Sequence, residues 1–110
     1  QLKVKPDSIA ILNDLAWIQA TCDDEKIRNP KEAVALAEKA CILTNYKSAR
    51  TLDTLAASYA SSGDFKRAVI IAQKAVKTAN EMGQIDQAVK IANKLSLYKK
   101  GLPYREKINP

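Results

Sequence analysis

The chain has no histidine. It therefore lacks the side chain that most often serves as a general base near neutral pH and that is the commonest metal ligand. Its three glycines, Gly63, Gly83 and Gly101, are too scattered for a phosphate-cradling loop. No nucleophile stands beside an obvious base. These absences argue against an enzyme, and no cofactor is expected. Cysteine occurs twice. Cys22 and Cys41 are too few and wrongly spaced for zinc, and neither has an activating partner. Both fall in helical patterns, where cysteine behaves as a small buried apolar residue; a disulfide is the minor alternative. The compartment stays open, cytoplasmic and periplasmic settings both being compatible. No apolar run approaches the ~18 residues that span a bilayer, so no membrane contact is expected from this segment. No signal peptide is visible. Gln1 is not a natural start, so a segment of a longer protein is expected.

Aromatic residues make up only 5% of the 110 residues, whereas hydrophobic residues make up 46% and 17 residues are alanine. A core this rich in alanine suits closely packed helices, and no alternating Val, Thr and Tyr pattern signals strands. One phrase is written three times: Ala33-Val34-Ala35-Leu36-Ala37-Glu38-Lys39, Ala68-Val69-Ile70-Ile71-Ala72-Gln73-Lys74 and Ala88-Val89-Lys90-Ile91-Ala92-Asn93-Lys94. Self-similarity of this kind marks stacked units, which build surfaces more readily than catalytic centres.

Five helices follow from the punctuation. Asp7 is read as the N-cap of a helix from Ser8 to about Cys22, with Ile9, Leu12, Leu15, Ala16 and Ile18 at helical spacing. Asp23 to Arg28 reads as a polar loop; its acidic run lacks the alternation, glycine and distal glutamate of a calcium loop. Asn29, Pro30 and Glu32 form a strong start signal for a helix to about Thr44. Asn45 to Lys47 turns the chain into a third helix, Ser48 to Ser61. Gly63 and Asp64 separate it from a fourth, Phe65 to Glu81. A fifth runs from Gln84 to Lys100, stopped by Gly101 and Pro103. Sequential helices joined this tightly should pack antiparallel.

Leu52-x-x-Leu55-Ala56-x-x-Tyr59, then Gly63-Asp64-Phe65-x-x-Ala68, then Ala72, Ala75 and Asn80, closely resemble a tetratricopeptide repeat, a helix–turn–helix of 34 residues. Leu12, Leu15 and Ala16, with Ala33, Ala37 and Ala40, resemble a second copy, although Gln19 departs from the aromatic expected there. The second helices are 35 residues apart and the first helices 40, which places an insertion in the loop near 23–28. Tyr98 to Glu106 is similar to the C-terminal ending of many bacterial tetratricopeptide proteins. The resemblance implies an all-α, right-handed α-α superhelix of antiparallel helix pairs, with about two repeats plus a capping helix. Residues 1–7 would be the tail of a preceding repeat, with Leu2 and Val4 in its last turn and Pro6 closing it. Residues 8–47 and 48–82 would be the two repeats, 83–101 the capping helix and 102–110 an irregular tail. Gly83-x-Ile85-x-x-Ala88 mimics Gly63-x-Phe65-x-x-Ala68, so the fourth helix is expected to pair with both the third and the fifth. Lys90, Asn93, Lys94, Lys99 and Lys100 are expected to keep the outer face of the capping helix wet.

In that family the first helices line a concave groove that holds a partner's peptide or helix. By helical phase, the groove residues here would be Asn13, Asp14, Trp17, Arg50, Asp53, Thr54 and Ala57. Trp17 is the sharpest case: a groove anchor or, as the favoured reading, a residue packed against a preceding repeat. In the latter case the bared N-terminal edge could self-associate. Some relatives grip a C-terminal carboxylate with Lys and Asn; here Asp14 and Asp53 flank Asn13 and Arg50 and would repel one. The expected function is protein–protein interaction with a protein or peptide partner. The alternative is an architectural end-cap or homo-oligomerisation segment of a longer array. Nucleic-acid binding through the basic end (Lys90, Lys94, Lys99, Lys100, Arg105, Lys107) ranks third. Net charge is +6, but no aromatic–basic stacking platform accompanies it.

Overall fold

Short polar residues set the helix starts. Asn29 Oδ1 accepts the Glu32 backbone N–H, Ser48 Oγ that of Thr51, and Asp64 Oδ1 that of Arg67. The computed structural model describes residues 6–107 and is all-helical, with five helices and no strand among them: α1 (Pro6–Thr21), α2 (Pro30–Leu43), α3 (Ala49–Ser61), α4 (Phe65–Glu81) and α5 (Ile85–Lys99). Leu2 and Val4, expected in the last turn of a preceding repeat, lie outside the described residues. α1 begins at Pro6 rather than Ser8. Proline suits a first helical turn, where its missing N–H forfeits no bond, so Pro6 and Asp7 belong to α1 and Asp7 is not its cap. The return half of the capping box at α2 is diverted: Glu32 Oε1 accepts from Gln19 Nε2 instead. Gly63 sits at φ +89°, in the left-handed region that ends α3.

Consecutive helices pack on one another, and α3 also packs on α1. α4 meets both α3 and α5. α3 is the central element. Every residue from Thr51 to Ser58 is buried, so it is enclosed on all sides. Its small side chains permit the close approach. Its hydroxyls return to the backbone of their own helix, Thr54 Oγ1 to the Arg50 carbonyl and Ser58 Oγ to that of Thr54. Ala33, Ala37, Ala40, Ala68, Ala72, Ala75 and Ala79 are all fully buried, filling the helix crossings.

The three similar phrases do not pack alike. Lys39 and Lys74 are exposed, as are most charges on α2 and α4, but Lys94 is buried while Ala92 is exposed. α5 turns Ala88, Ile91, Lys94 and Tyr98 inward, so the expectation of a wet Lys94 is corrected. In α1, Leu15 and Ile18, which share helical spacing with Ile9, Leu12 and Ala16, are 42% and 49% exposed. α2 and α3 cover only the side of α1 that carries Asn13, Ala16 and Ala20. Ile11, Leu15 and Ile18 form a stripe on another side.

Candidate functional site

Helical spacing assembles one cleft from three elements. α1 contributes Asn13, Asp14 and Trp17, one turn of its surface. α3 contributes Arg50, Asp53 and Thr54, again one turn. α5 contributes Gln87 and Lys94, two turns apart. Together they line an open cleft of about 260 Å³. Six of the seven residues expected from sequence are thus brought together. Ala57 is not: it is buried with Ala20 and Ala33 beneath Trp17, because the alanines there let α1, α2 and α3 close over it.

Charge in the cleft is largely paired within the protein. Arg50 Nη2 lies 2.6 Å from Asp14 Oδ1 across the mouth, with both side chains more than half exposed. An exposed pair of this kind adds little stability. Deeper, Lys94 Nζ donates to Asp53 Oδ2 at 3.1 Å. Burial raises the Asp53 carboxyl above its ordinary range, and the neighbouring Lys94 ammonium opposes that rise. Neither aspartate is a free charge, so the repulsion of a carboxylate inferred from sequence is muted. Two buried acceptors in this lining, Asn13 Oδ1 and Asp53 Oδ1, have no hydrogen-bond partner in the protein. Such groups cost about 1–3 kcal/mol each when left unpaired.

Trp17 does not stand free in the cleft but packs on the segment after α5. Its ring centroid is 5.8 Å from that of Tyr104, and Lys94 Nζ sits 5.2 Å from the Trp17 centroid and 5.3 Å from that of Tyr104. The ammonium is thereby held against two π faces and one carboxylate. Trp17 Nε1 donates to Glu106 Oε1 at 2.9 Å. The segment after α5 is irregular over the described residues 102–107, and it is docked. Glu106 N donates to the Thr21 carbonyl and Asp23 N to the Glu106 carbonyl, a two-bond parallel bridge to the end of α1. Arg105 Nη1 donates to the Ala20 carbonyl and Ser61 Oγ. The basic end is correspondingly smaller than its sequence suggests, since Lys94 and Arg105 are engaged internally.

The sequence reading missed Gln87, Lys94, Tyr104 and Glu106 as neighbours of the cleft. A signal for α5 was present. Ile91, Leu95 and Tyr98 have the spacing of Leu52, Ala56 and Tyr59, which places Lys94 at the position that Leu55 holds in α3. Both cysteines are free and buried. Cys41 Sγ donates to the Thr51 carbonyl, and burial pushes its thiol up. Among the described residues, no helix is long and apolar enough to cross a membrane, and no cluster of three or more His, Cys, Asp or Glu is placed to hold a metal ion. Comparison with protein-family models, curated proteins and solved structures gives no match.

Proposed function

We propose that this chain is a protein-interaction module. In this reading it consists of two tetratricopeptide-like helix pairs and a fifth helix stacked in a right-handed superhelical sense, and the cleft between α1, α3 and α5 receives a peptide segment of a partner protein. One observation carries the reading: Asn13 Oδ1 and Asp53 Oδ1 are buried acceptors without a protein partner in the lining of an open cleft. Both atoms are closed to solvent, so the backbone N–H donors of an extended peptide reach them once side chains at the mouth move aside. The Arg50–Asp14 pair at the mouth is exposed and can re-pair with ligand charge at little cost. The module would bind rather than catalyse.

Selection of phage-displayed random peptides on the immobilised chain tests this. Enriched peptides should lose at least about tenfold in affinity with Asn13→Ala or Arg50→Ala, a loss of roughly 1.4 kcal/mol. Enriched peptides indifferent to both substitutions, or no enrichment, would contradict it.

A second reading is favoured by the stripe of Ile11 (65% exposed), Leu15 and Ile18 on α1. An apolar helix face of this kind suits another helical layer, either a neighbouring repeat or a second copy. Sedimentation at two concentrations, with Leu15→Glu as the comparison, tests for a second copy. A wild-type dimer that becomes monomeric with Leu15→Glu supports assembly through α1.

A further inference from the structure

The segment after α5 is seated as a ligand would be. Its backbone pairs with the chain at the end of α1 through two hydrogen bonds at Glu106, one to the Thr21 carbonyl and one from the Asp23 N–H. The Tyr104 ring lies against Trp17 and Lys94. The Arg105 guanidinium reaches the Ala20 carbonyl and Ser61 Oγ. The Glu106 carboxylate accepts from Trp17 Nε1 through one oxygen and from the Tyr104 hydroxyl through the other. Tyr104 and Arg105 are only half-buried and Glu106 is exposed. The seat adjoins the cleft, because Trp17 and Lys94 belong to both.

Each contact has its own selectivity. Backbone pairing accepts any extended chain, as in strand addition to an exposed edge. The Trp17 N–H is a lone donor suited to an acceptor such as a carboxylate. The indole face and the Lys94 ammonium together favour an aromatic ring. The carbonyl of Ala20 and the hydroxyl of Ser61 favour a multiple donor such as guanidinium.

We propose that residues 103–106 are a built-in competitor for a partner segment of the same chemistry: an extended stretch carrying an aromatic, a basic and an acidic residue in succession. This rests on the peptide-binding reading of the cleft and names its ligand class. A tethered segment acts at an effective concentration near millimolar, so the closed form suppresses apparent affinity by the fraction of molecules left open. The partner gains access by displacing the tail, and the tail sets the threshold.

The test uses a fluorescein-labelled peptide of residues 102–110, LPYREKINP, titrated into the full chain and read by anisotropy. The Tyr104→Ala/Glu106→Ala double variant, with its helix content checked by circular dichroism, should bind the peptide about tenfold tighter than wild type, corresponding to a tail closed in about nine molecules of ten. Adding Trp17→Phe, which keeps a ring but removes the N–H, should reverse most of the gain. Glu106→Gln alone should give a smaller gain, and it decides the matter if the double variant loses helix. Equal affinity of wild type and the opened variants overturns the inference. Random-peptide selection on the opened variant separates this from the underlying reading. Enriched peptides without an aromatic–basic–acidic run overturn the competitor and leave peptide binding standing, whereas no enrichment at all overturns both.

Discussion

Lys94 Nζ of α5 lies 3.1 Å from Asp53 Oδ2 of α3, with the two side chains 11% and 7% exposed. This pair links the last helix to the central one across the floor of the cleft, and it orients the ammonium against Trp17 and Tyr104. A buried ion pair adds little net stability over an apolar pair of similar size, but removing one member leaves a charge stranded. Lys94→Ala should therefore lower unfolding free energy by about 3 kcal/mol. Asp53→Leu/Lys94→Met should recover most of that loss. Urea unfolding of Lys94→Ala and of the double variant checks this, and a double variant as weak as Lys94→Ala would count against it.

The alanine crossings make a second prediction. Ala68 and Ala72 are fully buried where α4 crosses its neighbours. Replacing either with leucine inserts three carbons into closed packing and should destabilise by about 1–3 kcal/mol. Thermal melts check the effect; an unchanged melting curve for both would mean that α4 is not packed as described.

Alkaline stability should be governed by buried phenols. Burial, reinforced by a hydrogen bond to Glu38, pushes Tyr59 from 10.0 up to about 12. Tyr98 is raised further by burial, and its hydroxyl has no partner. A phenol whose folded-state pKa exceeds its unfolded value favours folding while it is protonated. That stability is complete below pH 10 and is lost as pH rises through about 12. Absorbance of phenolate and helical ellipticity should therefore change together in that window. Tyr59→Phe removes one contributor and should shift unfolding to higher pH.

Much of this fold was legible because local chemistry and helical period agreed. Asn29, Ser48 and Asp64 cap the helices they precede, and the 3–4 spacing of alanines on α2 and α4 marks their inner faces. The cleft was legible in part, since Asn13, Asp14, Trp17, Arg50, Asp53 and Thr54 follow from the phase of α1 and α3 alone. Ala57 failed because phase places a residue on a side of its helix but does not say how closely the neighbouring helix closes over it. Lys94 failed because a lysine on an amphipathic helix is ordinarily solvated; its burial depends on Asp53, 41 positions away. Tyr104 to Glu106 carry no periodicity, so nothing local announces that they fold back onto α1. Leu15 and Ile18 were legible as apolar positions of α1, but periodicity does not identify what covers them.

The most direct measurement is amide chemical-shift mapping by NMR during titration with a peptide enriched on the cleft. The account predicts perturbations centred on residues 13, 14, 17, 50, 53, 54, 87 and 94, with loss of the hydrogen bonds that tie Glu106 to α1. Perturbations centred instead on Ile11, Leu15 and Ile18, with residues 13, 14, 17, 50, 53 and 54 unmoved, would contradict it.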